Sequence, residues 1–264
     1  MPLPGQTYRV TATASSGLSI SYAITKGQEI QETQFVSYSA PVCALSQSVS
    51  GQVTFLRSGE CEVTATQAGN GRFAQATERI SILIGQLNQF ITFDPIADRT
   101  YGAPAFRLSA VASSNLPVSF TVSAGVNVCS ISNGMVNIIA AGTCEIRASQ
   151  VGNGTYAPAP NVTRTFVVNP DLASSPALVS AAVGNQWFTI GYTAPSYTGG
   201  SNIIGYRLEV RDQNSNVYVN SSCATVAPLT CTLAGLPNDL SYTARIAAIT
   251  AAGIGQYSNN SMPL

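Results

Sequence analysis

The sequence predicts an all-β protein of three tandem β-sandwich domains in an elongated arrangement, and three observations carry that prediction. The first is an internal copy. Gly59 to Ala76, GECEVTATQAGNGRFAQA, aligns without gaps with Gly142 to Ala159, GTCEIRASQVGNGTYAPA, and ten of the eighteen positions are identical. A copy of that length marks a repeated structural unit. The second is composition. Charged residues make up 9% of the 264-residue chain, far below the typical ~25%. Ser, Thr, Asn, Gln and Gly must carry solubility, which suits strands and turns better than helices. The third is the spacing of six cysteines, one pair in each domain-sized third. A sandwich of this kind needs about 100 residues.

Each copy of the repeated block reads as strand, turn, strand. Period two places Cys144, Ile146 and Ala148 on one face and Glu145 and Arg147 on the other. Cys61 to Thr66 follows the same rule, which puts Glu60 and Glu62 together on an exposed face. Gly69-Asn70-Gly71 and Gly152-Asn153-Gly154 then turn the chain, because Gly and Asn tolerate positive φ.

The first domain is read as residues 1–86. Its Tyr8 to Leu18 stretch matches Phe106 to Leu116 of the second domain. Residues 25–40 are an insertion that the second domain lacks; it reads as a solvated hairpin and carries Lys26, Glu29 and Glu32 as candidate contact residues. The second domain, 87–169, opens with the alternating strand Phe90-Ile91-Thr92-Phe93. The first domain has no counterpart to it, which implies an open edge. Two explanations stand: a boundary drawn inside a repeat, or an edge completed by strand addition from a neighbouring chain. Ser132-Asn133-Gly134 signals a tight hairpin. Asn169-Pro170 to Ser175-Pro176 links to the third domain, 172–264. There Phe188, Ile190 and Tyr192 point inward, and Tyr206, Leu208 and Val210 oppose three charges at 207, 209 and 211.

The cysteines suggest local disulfides Cys43–Cys61, Cys129–Cys144 and Cys223–Cys231, although six cysteines allow fifteen connectivities. Persistent disulfides imply an extracellular or cell-surface setting, with a virion as the alternative. With no His in the chain, Ser-His-Asp and Cys-His catalysis are excluded, and the scattered carboxylates suggest no active site. The expectation is no catalytic residue, no cofactor and no metal; Asp94, Asp98 and Asp171 are too sparse for a cation that wants six or more oxygens. The net charge is zero and the cations do not cluster, so nucleic acid is not an expected partner. No apolar run nears the ~20 residues of a membrane helix, and the start MPLPGQTYRV lacks the pattern of a secretory signal. Trp187, Tyr197, Tyr218 and Tyr257 are candidate aromatic platforms for a glycan.

Tyr192-Thr193-Ala194-Pro195, Gly199-Gly200, Ile204-Gly205-Tyr206, Leu236 to Tyr242 and Ala251 to Gly255 resemble a fibronectin type III domain of the bacterial kind. The resemblance implies that Tyr242 is the tyrosine corner, with its hydroxyl bonded back to the backbone. It also marks a departure, Tyr192, where such domains carry a buried Trp. Ile91-Thr92-Phe93, Thr100-Tyr101-Gly102, Ala112 to Phe120 and the Ala-Gly-Thr-Cys to Gly-Asn-Gly block resemble tandem bacterial Ig-like repeats of surface or secreted proteins. That family implies non-catalytic spacer or adhesion modules. Three function classes follow: a rod-like spacer or adhesion segment of a bacterial surface or secreted protein with a protein or glycan partner, a self-assembling virion or appendage subunit, or a glycan-binding module.

Overall fold

A computed structural model describes residues 1–31, 34–36, 41–214, 216–220 and 222–264, with only the backbone described at 27–31 and 34–36. The described residues form strands and turns throughout. The first stretch holds β1 (Thr7–Arg9), β2 (Ser21–Gln31), β3 (Gln34–Val36), β4 (Cys43–Leu45), β5 (Gln52–Phe55), β6 (Gly59–Gln67) and β7 (Ala76–Ile84). Next come β8 (Ile91–Phe93), β9 (Arg99–Thr100), β10 (Phe106–Arg107), β11 (Ala110–Ala112), β12 (Ser119–Ala124), β13 (Cys129–Ser132), β14 (Met135–Ile138), β15 (Gly142–Ser149) and β16 (Val162–Asn169). The last stretch holds β17 (Ala177–Gly184), β18 (Trp187–Thr193), β19 (Ile203–Arg211), β20 (Val217–Asn220), β21 (Thr230–Ala234), β22 (Thr243–Thr250) and β23 (Gly253–Ile254). By its contacts the chain divides into two compact units. One comprises Met1–Thr92, Ala110–Ser119 and Ala148–Val162; the other comprises Phe93–Ser109, Phe120–Arg147 and Thr163–Leu264.

In the first unit, the sheets β1-β5-β4 and β3-β2-β6-β7 face each other. Alternation drives the pairing: Val53 and Phe55 of β5 and Cys61 and Val63 of β6 point inward, where they meet Val10, Val42, Cys43 and Ile84. Burying each such side chain is worth roughly 1.5–3 kcal/mol. The disulfide Cys43–Cys61 ties one sheet to the other across this core. Within the inserted segment the described parts of β2 and β3 pair antiparallel, with Glu29 opposite Val36 in the backbone ladder.

The repeated turns differ from expectation in mechanism. Gly69 and Gly152 do take positive φ, but Asn70 and Asn153 do not. Asn70 Oδ1 instead accepts the Arg72 and Phe73 N–H groups, both at 2.9 Å. Asn153 Oδ1 accepts those of Thr155 and Tyr156 at 2.8 and 2.9 Å. Asn is used here as a side-chain substitute for a backbone turn. The same is true of the charged faces. Glu62 is buried rather than exposed, because β6 lies between β2 and β7 and its outer face is covered by their side chains. Thr25 Oγ1 donates to Glu62 at 2.6 Å and Arg79 lies 3.8 Å away.

In the second unit, β10-β14-β13 carries Cys129, which is bonded to Cys144 of β15 in the sheet β12-β15-β16-β9. Ser132 and Met135 pair across the expected two-residue turn, and Asn133 and Gly134 there have positive φ. The sheets β17-β18-β21 and β20-β19-β22-β23 enclose a core of Phe188, Ile190, Tyr192, Tyr206, Leu208, Val210, Leu236, Ala244 and Ile246. The third disulfide, Cys223–Cys231, closes an eight-residue separation beside it.

Candidate interaction surfaces

The last ninety or so residues are held by phenols used as braces. Tyr242 donates its hydroxyl to the Pro237 carbonyl at 2.6 Å, five residues upstream. That is the corner bond expected of this position. Tyr192, in the place of the expected Trp, is buried with its ring 4.7 Å from that of Tyr206. Its hydroxyl donates to the Ala224 carbonyl at 2.5 Å, next to the disulfide. Burial, and then the neighbouring Tyr206 phenol, push its pKa up to about 12. A Tyr there fills the core and also fastens the cysteine loop, which an indole could not do with the same donor.

Glu209 belongs to the face that alternation marks as charged and open, yet it is 8% exposed. Arg245 donates to it twice, at 2.9 and 2.6 Å, and the Tyr257 hydroxyl donates at 2.6 Å. The Arg245 guanidinium also stacks 4.3 Å above the Tyr257 ring. Burial pushes the Glu209 carboxyl up, but the Tyr257 and Arg245 hydrogen bonds and the Arg245 and Arg207 charges hold it below the usual value. The reason for the discrepancy with the sequence reading is lateral: β22 and the 257 region supply partners that period two along β19 does not show.

The aromatic candidates are placed as follows. Tyr197 has its ring 5.5 Å from the Tyr101 ring, and its hydroxyl donates to Asp171 Oδ2 at 3.1 Å. Burial first, and then the Asp171 bond, raise its pKa. Gly200 at positive φ lies directly on the Tyr101 ring, where any Cβ would fall 2.4 Å from it. Tyr218 packs edge-on to Tyr242 at 6.4 Å, and Tyr257 is engaged with Glu209. Trp187 is 39% exposed and lies over Gly184. Lys26 is exposed on β2; Glu29 contributes only its backbone to the description, and Glu32 lies outside the described residues. Asp98 accepts the Val167 N–H at 2.7 Å, and no group of three or more candidate metal ligands occurs among the described residues. No described helix is long and apolar enough to cross a membrane.

The first unit holds a groove of about 430 Å³. Thr11 to Ala14 and Ile20 line one side, and Ala65, Gln67 and Ala76 to Glu78 line the other. Its rim is β7, an edge strand whose residues Ala76 to Ser81 are all exposed.

Comparison with known proteins places one part of the chain. Over 73 residues the chain is 34% identical to M-protein, striated muscle, of Gallus gallus, and equally so to Myomesin-2 of Homo sapiens. Each match covers 28% of this chain, which spans 5% of the length of either relative. Among solved structures, the titin domains A168-A170 align over 99% of this chain and 94% of theirs, at 13% identity and a TM-score of 0.36. Residues 174–263, which carry the tyrosine corner, match the Fibronectin type III domain family.

Proposed function

We propose that this chain is a non-catalytic structural and interaction segment of an extracellular bacterial surface or secreted protein. Its domains, residues 1–86, 87–169 and 172–264, act as a spacer that presents or holds other parts. The observation that carries this reading is the disulfide pattern. Two of the three bonds join the facing sheets of a repeat, Cys43 to Cys61 and Cys129 to Cys144. Staples of this kind persist in oxidising surroundings and resist opening where a segment bears load. The fibronectin match and the wholly β-stranded construction support the same reading.

Stretching single molecules tests it. Three unfolding events are expected under oxidising conditions. Each should lengthen after reduction by about 3.3–3.6 Å per residue released from its loop. Lengths unchanged by reductant would overturn the load-bearing role. A second reading, assembly into an ordered particle or appendage by strand addition, is favoured by the groove beside β7.

A further inference from the structure

Trp187 is the chain's only tryptophan. The other aromatic candidates are already engaged: Tyr197 with Asp171 and Tyr101, Tyr218 with Tyr242, and Tyr257 with Glu209 and Arg245. The indole is left at the surface by the hairpin that carries it. Asn185 and Gln186 form a two-residue turn between β17 and β18, so Gly184 and Trp187 stand opposite each other. On its other side Trp187 pairs with Ala234 of β21. Neither neighbour has a side chain large enough to cover the ring. A Cβ on Gly184 would fall 2.2 to 2.4 Å from three indole atoms. The indole therefore rests on the Gly184 backbone, and the residue stays 39% exposed.

A pocket of about 130 Å³ opens beside this ring. Val183, Leu236 and Leu240 supply apolar lining, and the exposed residues Gln186, Asn238 and Asp239 supply polar lining. The polar side is fixed by its own hydrogen bonds. Asn238 Oδ1 accepts the Gln186 N–H at 3.0 Å, and the Asn238 amide donates to Asn185 Oδ1 at 2.9 Å. The Gln186 carbonyl accepts the N–H groups of Gly235 and Leu236 at 2.7 and 3.1 Å. These bonds tie the β17–β18 turn to the segment that follows β21. Asp239 is exposed, with φ 65°. Its carboxylate has no hydrogen-bond or ion-pair partner among the described residues.

We propose that Trp187, Gln186 and Asp239 form a binding site for a sugar that carries an acetamido group, such as N-acetylglucosamine. The C–H face of a pyranose ring is apolar and suits an exposed indole. The pocket at about 130 Å³ is well under the roughly 300–1,000 Å³ of sites that enclose a whole ligand. The sugar ring therefore stays outside on Trp187, and only its substituent enters. An acetamido group joins an apolar methyl to one N–H donor and one carbonyl acceptor. The methyl goes against Leu236 and Leu240, the N–H donates to Asp239, and the carbonyl accepts from the Gln186 side-chain amide. The turn is already held by Asn238, so few groups must be ordered on binding. An indole and a carboxylate also suit a quaternary ammonium, but a single ring lacks the cage that such a cation needs. The site goes beyond the spacer reading and does not rest on it.

The test uses the full chain, whose indole emission reports on this site alone because Trp187 is the only tryptophan. Titration with N,N′-diacetylchitobiose is expected to change that emission saturably, with a dissociation constant in the millimolar range. Cellobiose has the same rings without acetamido groups and should give no saturable change. Saturation-transfer NMR should place the ligand's acetamido methyl nearest the protein. Asp239→Gly suits a left-handed backbone and should weaken binding by about fivefold or more, with the thermal midpoint unchanged. Trp187→Ala, followed by calorimetry, should abolish binding. No response to diacetylchitobiose, an equal response to cellobiose, or unchanged binding in either variant would overturn the inference. A saturable response to choline chloride in place of the sugar would also overturn it, since the site would then take a cation. Lengthening on reduction in the stretching experiment is a separate measurement, so the two readings fail separately.

Discussion

Glu209 shows how one residue's neighbours set its energetics. Its carboxylate receives three hydrogen bonds, two from Arg245 and one from Tyr257, while 8% exposed. Its pKa in the folded chain lies below the ordinary 4.5. A carboxyl depressed on folding stabilises the fold above its ordinary pKa, and the contribution fades as pH falls through the lower folded value. Glu209→Gln should therefore cost about 1–3 kcal/mol at neutral pH, because Arg245 loses its counter-charge. The difference from the parent should shrink steadily on acidification below 4.5. Denaturant titrations at several pH values check this; a pH-independent difference would mean that the carboxylate charge is irrelevant.

At the scale of an element, the turn of each strand-turn-strand copy depends on one positive-φ glycine, Gly69 or Gly152. Gly152 has φ 78°, and a Cβ there would come within 2.3 Å of the Tyr156 carbonyl oxygen. Gly69 has the same φ, with its Cβ position 2.7 Å from the Phe73 carbonyl. Left-handed backbone costs a non-glycine residue roughly 1–2 kcal/mol before any clash. Gly152→Ala is expected to destabilise by about 2 kcal/mol or more, read as a lowered midpoint in thermal unfolding. An effect under about 0.5 kcal/mol, the size of an ordinary surface change, would show that the turn relaxes freely. The Asn beside each glycine acts differently, holding two N–H groups with its side chain.

For the whole molecule, contacts fall into two compact units, and unfolding of such a chain is not expected to follow a single two-state transition. The Cys223–Cys231 bond closes a short loop beside the core of residues 173–248. On the chain-entropy model an eight-residue loop is worth about 2.5 kcal/mol. The double variant Cys223→Ser, Cys231→Ser should lower one calorimetric transition by about that amount and leave the others in place. If every transition moved together, the cores would be unfolding as one cooperative body.

By itself the sequence determined the strand-rich class and the repeated block, which rest on short-range pattern: alternation of period two and glycine at a turn. The local cysteine pairings were suggested by spacing among fifteen connectivities, and the tyrosine corner came from the resemblance to fibronectin type III domains; the bonds Cys43–Cys61, Cys129–Cys144, Cys223–Cys231 and Tyr242 to Pro237 are what the fold supplies. Tertiary structure alone decided that Glu62 and Glu209 are buried, that Tyr197 braces Tyr101 and Asp171, and that Tyr192 fastens the cysteine loop. Those outcomes depend on which strand lies alongside, and a side chain's covering comes from residues tens of positions away.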